Sequence, residues 1–356
     1  MYTAAFLINY DGKQQYPSRF GDCSLRILGR LRRRLIRRGI PPFFRDQMTF
    51  AKFAIMKFFL GSVGSSMLFQ GLMSGIAPEK YAASRALTKS IIPYRRTVPG
   101  CFVLGIGMYL AGTGPTLFGV QLAMGIPSAP YILLGALAGG VFFGLLEPHL
   151  GLDDIKCQSP SSLASLDEKF HVRYETIAIP AGIALLGVAF QLEHHYPHSA
   201  EAKEIGILQT LTPIYATLIV GMNQIPIRLI TTKGQGGSTS VMNFISTVTG
   251  GRISPKLAIK TIPNAYQFLF VYVGMASGAW LCCNRFSFVP SDGYSLLASV
   301  IGGFLTIFGA RCAAGCTCGH GVSGVSEFAP SSIAAAVAIF AGGIATGMVH
   351  SFLEQD

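Results

Sequence analysis

Residues 97–146 read TVPGCFVLGIGMYLAGTGPTLFGVQLAMGIPSAPYILLGALAGGVFFGLL, fifty positions without one Asp, Glu, Lys or Arg. A soluble domain has no place for such a run, whereas about 20 apolar residues cross a roughly 30 Å hydrocarbon core as one helix. Two spans fit in it, separated by the break Ala111-Gly112-Thr113-Gly114-Pro115-Thr116. The rest of the chain agrees. Of 356 residues, 50% are hydrophobic and 13% charged, against roughly 25% charged in soluble domains. This excludes a soluble enzyme. The net charge of +11 does not sit on a polar domain, so no nucleic-acid partner is expected.

Uncharged stretches recur at 58–77, 98–113, 128–146, 176–192, 205–227, 261–284, 294–310 and 329–350, predicting eight spans, two of them short. Only helices and closed barrels satisfy their backbone in lipid, and the period-2 alternation of barrel strands is absent. The 147–175 connection carries Asp153, Asp154, Lys156, Asp167, Glu168 and Lys169 and is expected to be solvated.

The two halves repeat. A shift of 203 residues aligns Ala111-Gly112 with Ala314-Gly315, Pro127-Ser128 with Pro330-Ser331, Ala138-Gly139-Gly140 with Ala341-Gly342-Gly343, and Gly144 with Gly347. The first helices of the two copies are spans two and seven. An odd difference turns one copy over relative to the other, the plan of many transporters. The expected fold is therefore all-α: a polytopic membrane protein with two inverted repeats, interrupted helices and re-entrant short segments at the centre. Repeat 1 covers about 50–147, connecting spans about 175–227 and repeat 2 about 228–352, all within one transmembrane transporter domain, 48–353. Gly139, Gly140, Gly342 and Gly343 read as close-packing positions between helices.

Residues 1–47 form a separate basic segment. Nine of the 28 Lys and Arg lie between Arg19 and Arg45, with Leu28, Leu31 and Leu35 at helical spacing. Such a helix lies on anionic lipid, and the positive-inside bias places this end in the cytoplasm. The alternative is an organellar presequence, opposed by Asp11 and Asp22.

Glycine-interrupted hydrophobic helices at matching places point to a membrane binding site. The second break reads Gly309-Ala310-Arg311-Cys312-Ala313-Ala314-Gly315-Cys316-Thr317-Cys318-Gly319-His320-Gly321. Helix N-termini following such breaks present free N–H groups that suit an anion. Arg311 is either a functional charge within a span or a snorkelling residue at a helix end. Cys312, Cys316, Cys318 and His320 supply soft ligands for zinc, but the spacing is tighter than in usual structural sites. A thiol here can donate weakly to a soft sulfur ligand or act as a nucleophile. His194, His195 and His198 read as a solvated connector. Gly234-Gln235-Gly236-Gly237 lacks the Gly-Lys-Ser/Thr of a nucleotide-binding loop.

The segment from Gly309 to Gly324 closely resembles the signature of the YeeE/YedE sulfur-transport family, whose usual motif is G-A-R-x-A-x-G-C-T-S-G-H-G-x-S-G. Cys316 matches the central cysteine, and Cys318 stands where Ser is common. Gly105–Pro115 looks like the first-half counterpart, with Gly114 where the family usually has cysteine. Gly236-Gly237-Ser238-Thr239-Ser240 looks like a third element, offering Ser238 at a position that can hold another cysteine. The resemblance implies an hourglass-like inverted-repeat fold and a multi-pass permease for a sulfur-containing anion, thiosulfate above all, with substrate passed by S–H contacts.

The expected pathway comprises Cys316 as key contact, with Thr113, Gly114, Pro115, Ser238, Gly315, Thr317, Cys318, Gly319, His320, Arg311 and Cys312 around it. No cofactor, catalytic residue or metal is expected. Transport would be passive, or driven by an ion gradient or by a soluble sulfur-handling protein that consumes the product. Two alternatives stay open: a membrane sulfur-transfer enzyme with Cys316 as persulfide carrier, and a metal-binding or structural membrane protein.

Overall fold

The computed structural model describes residues 47–50, 53–89, 94–150, 165–196, 213–231, 234–286 and 295–355. The Arg-rich segment 19–45, Cys23, Cys157 and His198 lie outside them. Regular structure among the described residues is entirely helical.

Each long apolar stretch becomes a helix, ended where the sequence breaks it. Helix α1 (Ala54–Ile76) stops at Ala77, because the residue before Pro78 is pushed out of helical geometry. The short α2 (Pro78–Lys89) follows. Helix α3 (Tyr94–Ala111) ends at Gly112, whose φ of +62° suits glycine. The chain continues through a 3-10 turn, Pro115–Leu117, into α4 (Phe118–Ala123) and on to α5 (Ala129–Leu146). Next come α6 (Leu166–Lys169), α7 (Tyr174–His195), α8 (Pro213–Met222) and α9 (Gln224–Thr231). A short extended stretch precedes α10 (Gly237–Val248). Helices α11 (Ile262–Phe268) and α12 (Met275–Phe286) are joined by a π-helical stretch, Leu269–Gly274. Helix α13 (Leu296–Cys312) is followed by a π-helical segment, Thr317–Gly324, and by α14 (Pro330–Gln355).

Three described helices are long and apolar enough to cross a membrane: Ala129–His149, Tyr174–His195 and Pro330–Leu353. Two bent pairs bring the number to five if each is one span: α3 with Pro115–Ala123, turning 41°, and α13 with Thr317–Gly324, turning 51°. The eight spans expected from uncharged runs are thus too many for the described residues. Of the other expected stretches, 205–227 lies partly outside the described residues and holds α8 and the start of α9, and 261–284 is one helical run with a π-helical stretch inside it.

The order helix, break, short helix, long helix occurs twice, at α3–α5 and at α13–α14. Helices α3 and α13 pack together at the centre, with α5 against α13 and α14 against α3. Missing side chains permit these approaches. A Cβ on Gly139 would strike the backbone of Phe304, and one on Gly342 the backbone of Phe102. Helix α1 packs on α7 and α8 and touches the 317–324 segment.

Polarity runs inside out. Leu134, Ile183, Val337 and Met348 are at least 60% exposed, while Ser62, Ser66, Gln70, Gln224, Asn243 and Ser246 are fully buried. Exposed apolar faces this extensive require a nonaqueous surround. Charged groups inside come in pairs. The Lys57 ammonium meets Glu193 at 2.6 Å. Arg228 pairs with Glu327, and Arg85 grips Asp167 through two donors. Asp167 corrects the solvated reading of 147–175: it is 2% exposed, because Arg85 of α2 draws it in.

Candidate functional site

Both breaks are built by local backbone rules, and together they make the site. Helix α13 closes with a left-handed residue at Ala314, φ +53°. The Gly315 N–H donates to the Ala310 carbonyl at 2.9 Å and the Ala314 N–H to that of Arg311 at 3.0 Å. This is the two-bond helix stop usually made with glycine at the left-handed position. Cys316 then lies in extended backbone and starts the segment 317–324. Its carbonyl accepts the His320 N–H at 2.8 Å.

Cys316 is 1% exposed. Its sulfur interacts with the Cys318 thiol and with the backbone N–H groups of Ser238, Gly319 and Cys318. Two of these N–H groups belong to the first turn of the 317–324 segment and the third to the first turn of α10. A third helix start closes the arrangement. The Thr116 hydroxyl lies 3.4 Å from the Cys318 sulfur, and Gly237 packs so tightly on Thr116 that a Cβ would sit 2.7 Å from its nitrogen. Three short helices, beginning at 115, 237 and 317, therefore start around one buried thiol. Their first-turn N–H groups and dipoles favour negative charge at that point.

Sulfur is concentrated there. Met108 Sδ accepts the Thr317 hydroxyl at 3.4 Å, and buried Cys101 belongs to the same apolar cluster as Cys316 and Met108.

The remaining expected residues divide in two. Pro115 lies in the site wall, its carbonyl accepting the Tyr272 hydroxyl at 3.3 Å. A Cβ on Gly114 would stand 3.6 Å from Met108 Cε and 3.7 Å from Thr317 Oγ1, which puts that position at the meeting of the two breaks. Thr113 is fully buried and makes a long contact, 3.5 Å, with the Gly114 carbonyl. What reaches Cys316 from Ser238 is its backbone N–H. His320 spans the break instead of lining it: Nε2 is 3.1 Å from the Ala313 carbonyl oxygen and Nδ1 3.2 Å from Ser332 Oγ. Its ring occupies the space a Cβ on Gly315 would need. A Cβ on Gly319 would meet only the Gln235 carbonyl oxygen, at 3.7 Å. The Arg311 guanidinium lies over the Phe143 ring, 5.7 Å from its centre, with Glu147 and Arg96 among its charged neighbours. The Cys312 carbonyl accepts from Arg96 Nε. Among the described residues, no group of three His, Cys, Asp or Glu side chains is placed to hold a metal ion.

Several residues at the site escape sequence reasoning. Gln267 pins the approach to α10, accepting from the Gly236 N–H and donating to the Gly234 carbonyl, both at 3.0 Å. Arg96 caps the end of α13 through the carbonyls of Arg311 and Cys312. Thr116 had a signal, its place directly after the Gly-Pro of the first break; Gln267 had none.

No curated protein matches the chain. A family model described as sulphur transport matches residues 37–345. With nearly the whole length covered, including both breaks and all three short helices, this chain belongs to the sulphur transport family.

Proposed function

We propose that the protein is a multi-pass permease for a sulfur-containing anion, thiosulfate being the best fit, with Cys316 at a central constriction. One observation carries this: three helix starts converge on a buried thiol. Backbone N–H groups suit the oxygens of a dianion, and the Cys316 and Cys318 thiols, with Met108 nearby, suit its soft terminal sulfur. In this reading the two break-bearing halves are inverted relative to each other, and Thr113, Gly114, Pro115 and Ser238 face Gly315, Thr317, Cys318 and Gly319 across the pathway. The basic N-terminal segment lies on anionic lipid at the cytoplasmic side. Transport runs with a gradient, or with a soluble protein consuming the product.

Uptake of radiolabelled thiosulfate into vesicles holding the purified chain tests this. Cys316→Ala should reduce uptake to the background of empty vesicles, and unchanged uptake rejects the assigned contact. After turnover, the mass of the Cys316 peptide should be that of a free thiol. A stable persulfide there would favour sulfur transfer over permeation.

A further inference from the structure

A second cluster of buried polar groups lies near the sulfur site. Arg228 and Gln224 are one turn apart on α9, on the same face, and are 1% and 0% exposed. Arg228 spends Nη1 on Glu327 and, at 3.1 Å, on the Ser84 hydroxyl. Its Nε and Nη2, and Nε2 of Gln224, have no hydrogen-bond partner among the described residues. Ser323 joins them, donating to Gln224 Oε1 at 3.1 Å. Gly234 sits between: a Cβ there would be 2.6 Å from Ser323 Oγ and 3.8 Å from Arg228 Nη2. From α1, Gln70 Nε2 reaches Ser326 Oγ at 2.8 Å. Ser66 and Ser62, one and two turns earlier on that face, carry buried hydroxyls also without a partner among the described residues.

Unpaired buried groups are rare and call for an occupant. Here three are N–H donors and two are hydroxyls able to donate, so the occupant must be rich in acceptors. The guanidinium favours an oxyanion.

The cluster is also connected to the thiol site. The stretch 234–238 runs beside 316–323 in the opposite direction: Gly234 lies at Ser323, Gln235 at Gly319, and the Ser238 N–H at Cys316. Seven residues of helix separate Ser323 from Cys316, on the order of 10 Å.

We infer that Arg228, Gln224, Ser323 and Ser66 form an oxyanion subsite, a staging position for the transported anion before or after Cys316. This rests on the permease reading, and the two can fail separately. The probes are thiosulfate and sulfate, measured by equilibrium binding to the purified full-length chain. The wild-type chain should bind two thiosulfates. Cys316→Ala should remove one and leave the other, which sulfate displaces, because that site reads oxygen and not sulfur. Gln224→Glu keeps the acceptor for Ser323 but sets a carboxylate among the donors. It should weaken the sulfate-sensitive site about tenfold or more, while thiosulfate still slows alkylation of Cys316. Ser66→Asp is the second variant, with the same expectation, should Gln224→Glu not yield monodisperse protein. A single thiosulfate site lost in Cys316→Ala, or unchanged affinity in the carboxylate variant, overturns the subsite and leaves the cluster to ordered water. A Gln224-sensitive site in a chain whose Cys316 never responds to thiosulfate upholds the subsite and rejects the constriction.

Discussion

Gly114 is one of the residues at which this chain departs from the pattern it resembles, and the surroundings allow the missing side chain. Its backbone is extended, at φ −102° and ψ 166°, and a Cβ would make ordinary contacts with Met108 and Thr317. Gly114→Cys should therefore fold with an unchanged melting temperature and present a new thiol that thiosulfate shields from alkylation, read by peptide mass spectrometry. A thiol alkylated at the same rate with and without thiosulfate would place position 114 off the pathway. Gly315 is the opposite case. His320 fills its Cβ space and bridges the break, so Gly315→Ala should displace the ring, and the melting temperature should fall by several degrees. The sequence singled out Cys316 by its match to the central cysteine of the family motif. It concealed what surrounds the sulfur, since Ser238 and Thr116 arrive from distant segments and, at Ser238, through the backbone alone.

At the scale of the element, the stop of α13 puts a nonglycine residue, Ala314, into left-handed geometry. The matching break ends α3 on Gly112 at φ +62° instead. Alanine pays about 1–2 kcal/mol for that conformation, so Ala314→Gly should raise thermal stability by part of that amount, measured by differential scanning fluorimetry in detergent. A drop would mean that the bend is held by contacts of the Ala314 methyl group. The long helices, their approximate ends and both breaks were readable from apolar runs and glycine punctuation. The short α2 and α10 were not, because they lie in polar stretches with no apolar run of membrane length.

Among the described residues, apolar side chains face outward and three ion pairs, Lys57–Glu193, Arg85–Asp167 and Arg228–Glu327, are buried. Asp167 is the one whose pH response can be read. Burial alone would raise its carboxyl, but the Arg85 hydrogen bonds and Ser165 outweigh that and hold it below the ordinary value. A depressed carboxyl contributes stability that is present above its unfolded value, near 4, and lost as pH falls through the folded one. Thermal stability should therefore decline below about pH 4. Asp167→Asn should flatten that decline and cost about 3–5 kcal/mol at neutral pH, by leaving Arg85 buried with half its partners. A variant as stable as the parent at pH 7 would contradict the pairing. Nothing in the 147–175 sequence marked Asp167 as buried, since its partner lies on α2, outside any local pattern.

These scales meet in one claim, that a soft anion occupies the point where three helix starts surround Cys316. The most direct measurement is the alkylation rate of Cys316 in the intact chain in membranes, followed peptide by peptide with a small water-soluble thiol reagent. The account predicts that thiosulfate slows this rate about tenfold or more at saturation, and that sulfate, lacking the exposed sulfur, slows it far less. A rate indifferent to thiosulfate, or a thiol reached only by lipid-soluble reagents, would contradict it.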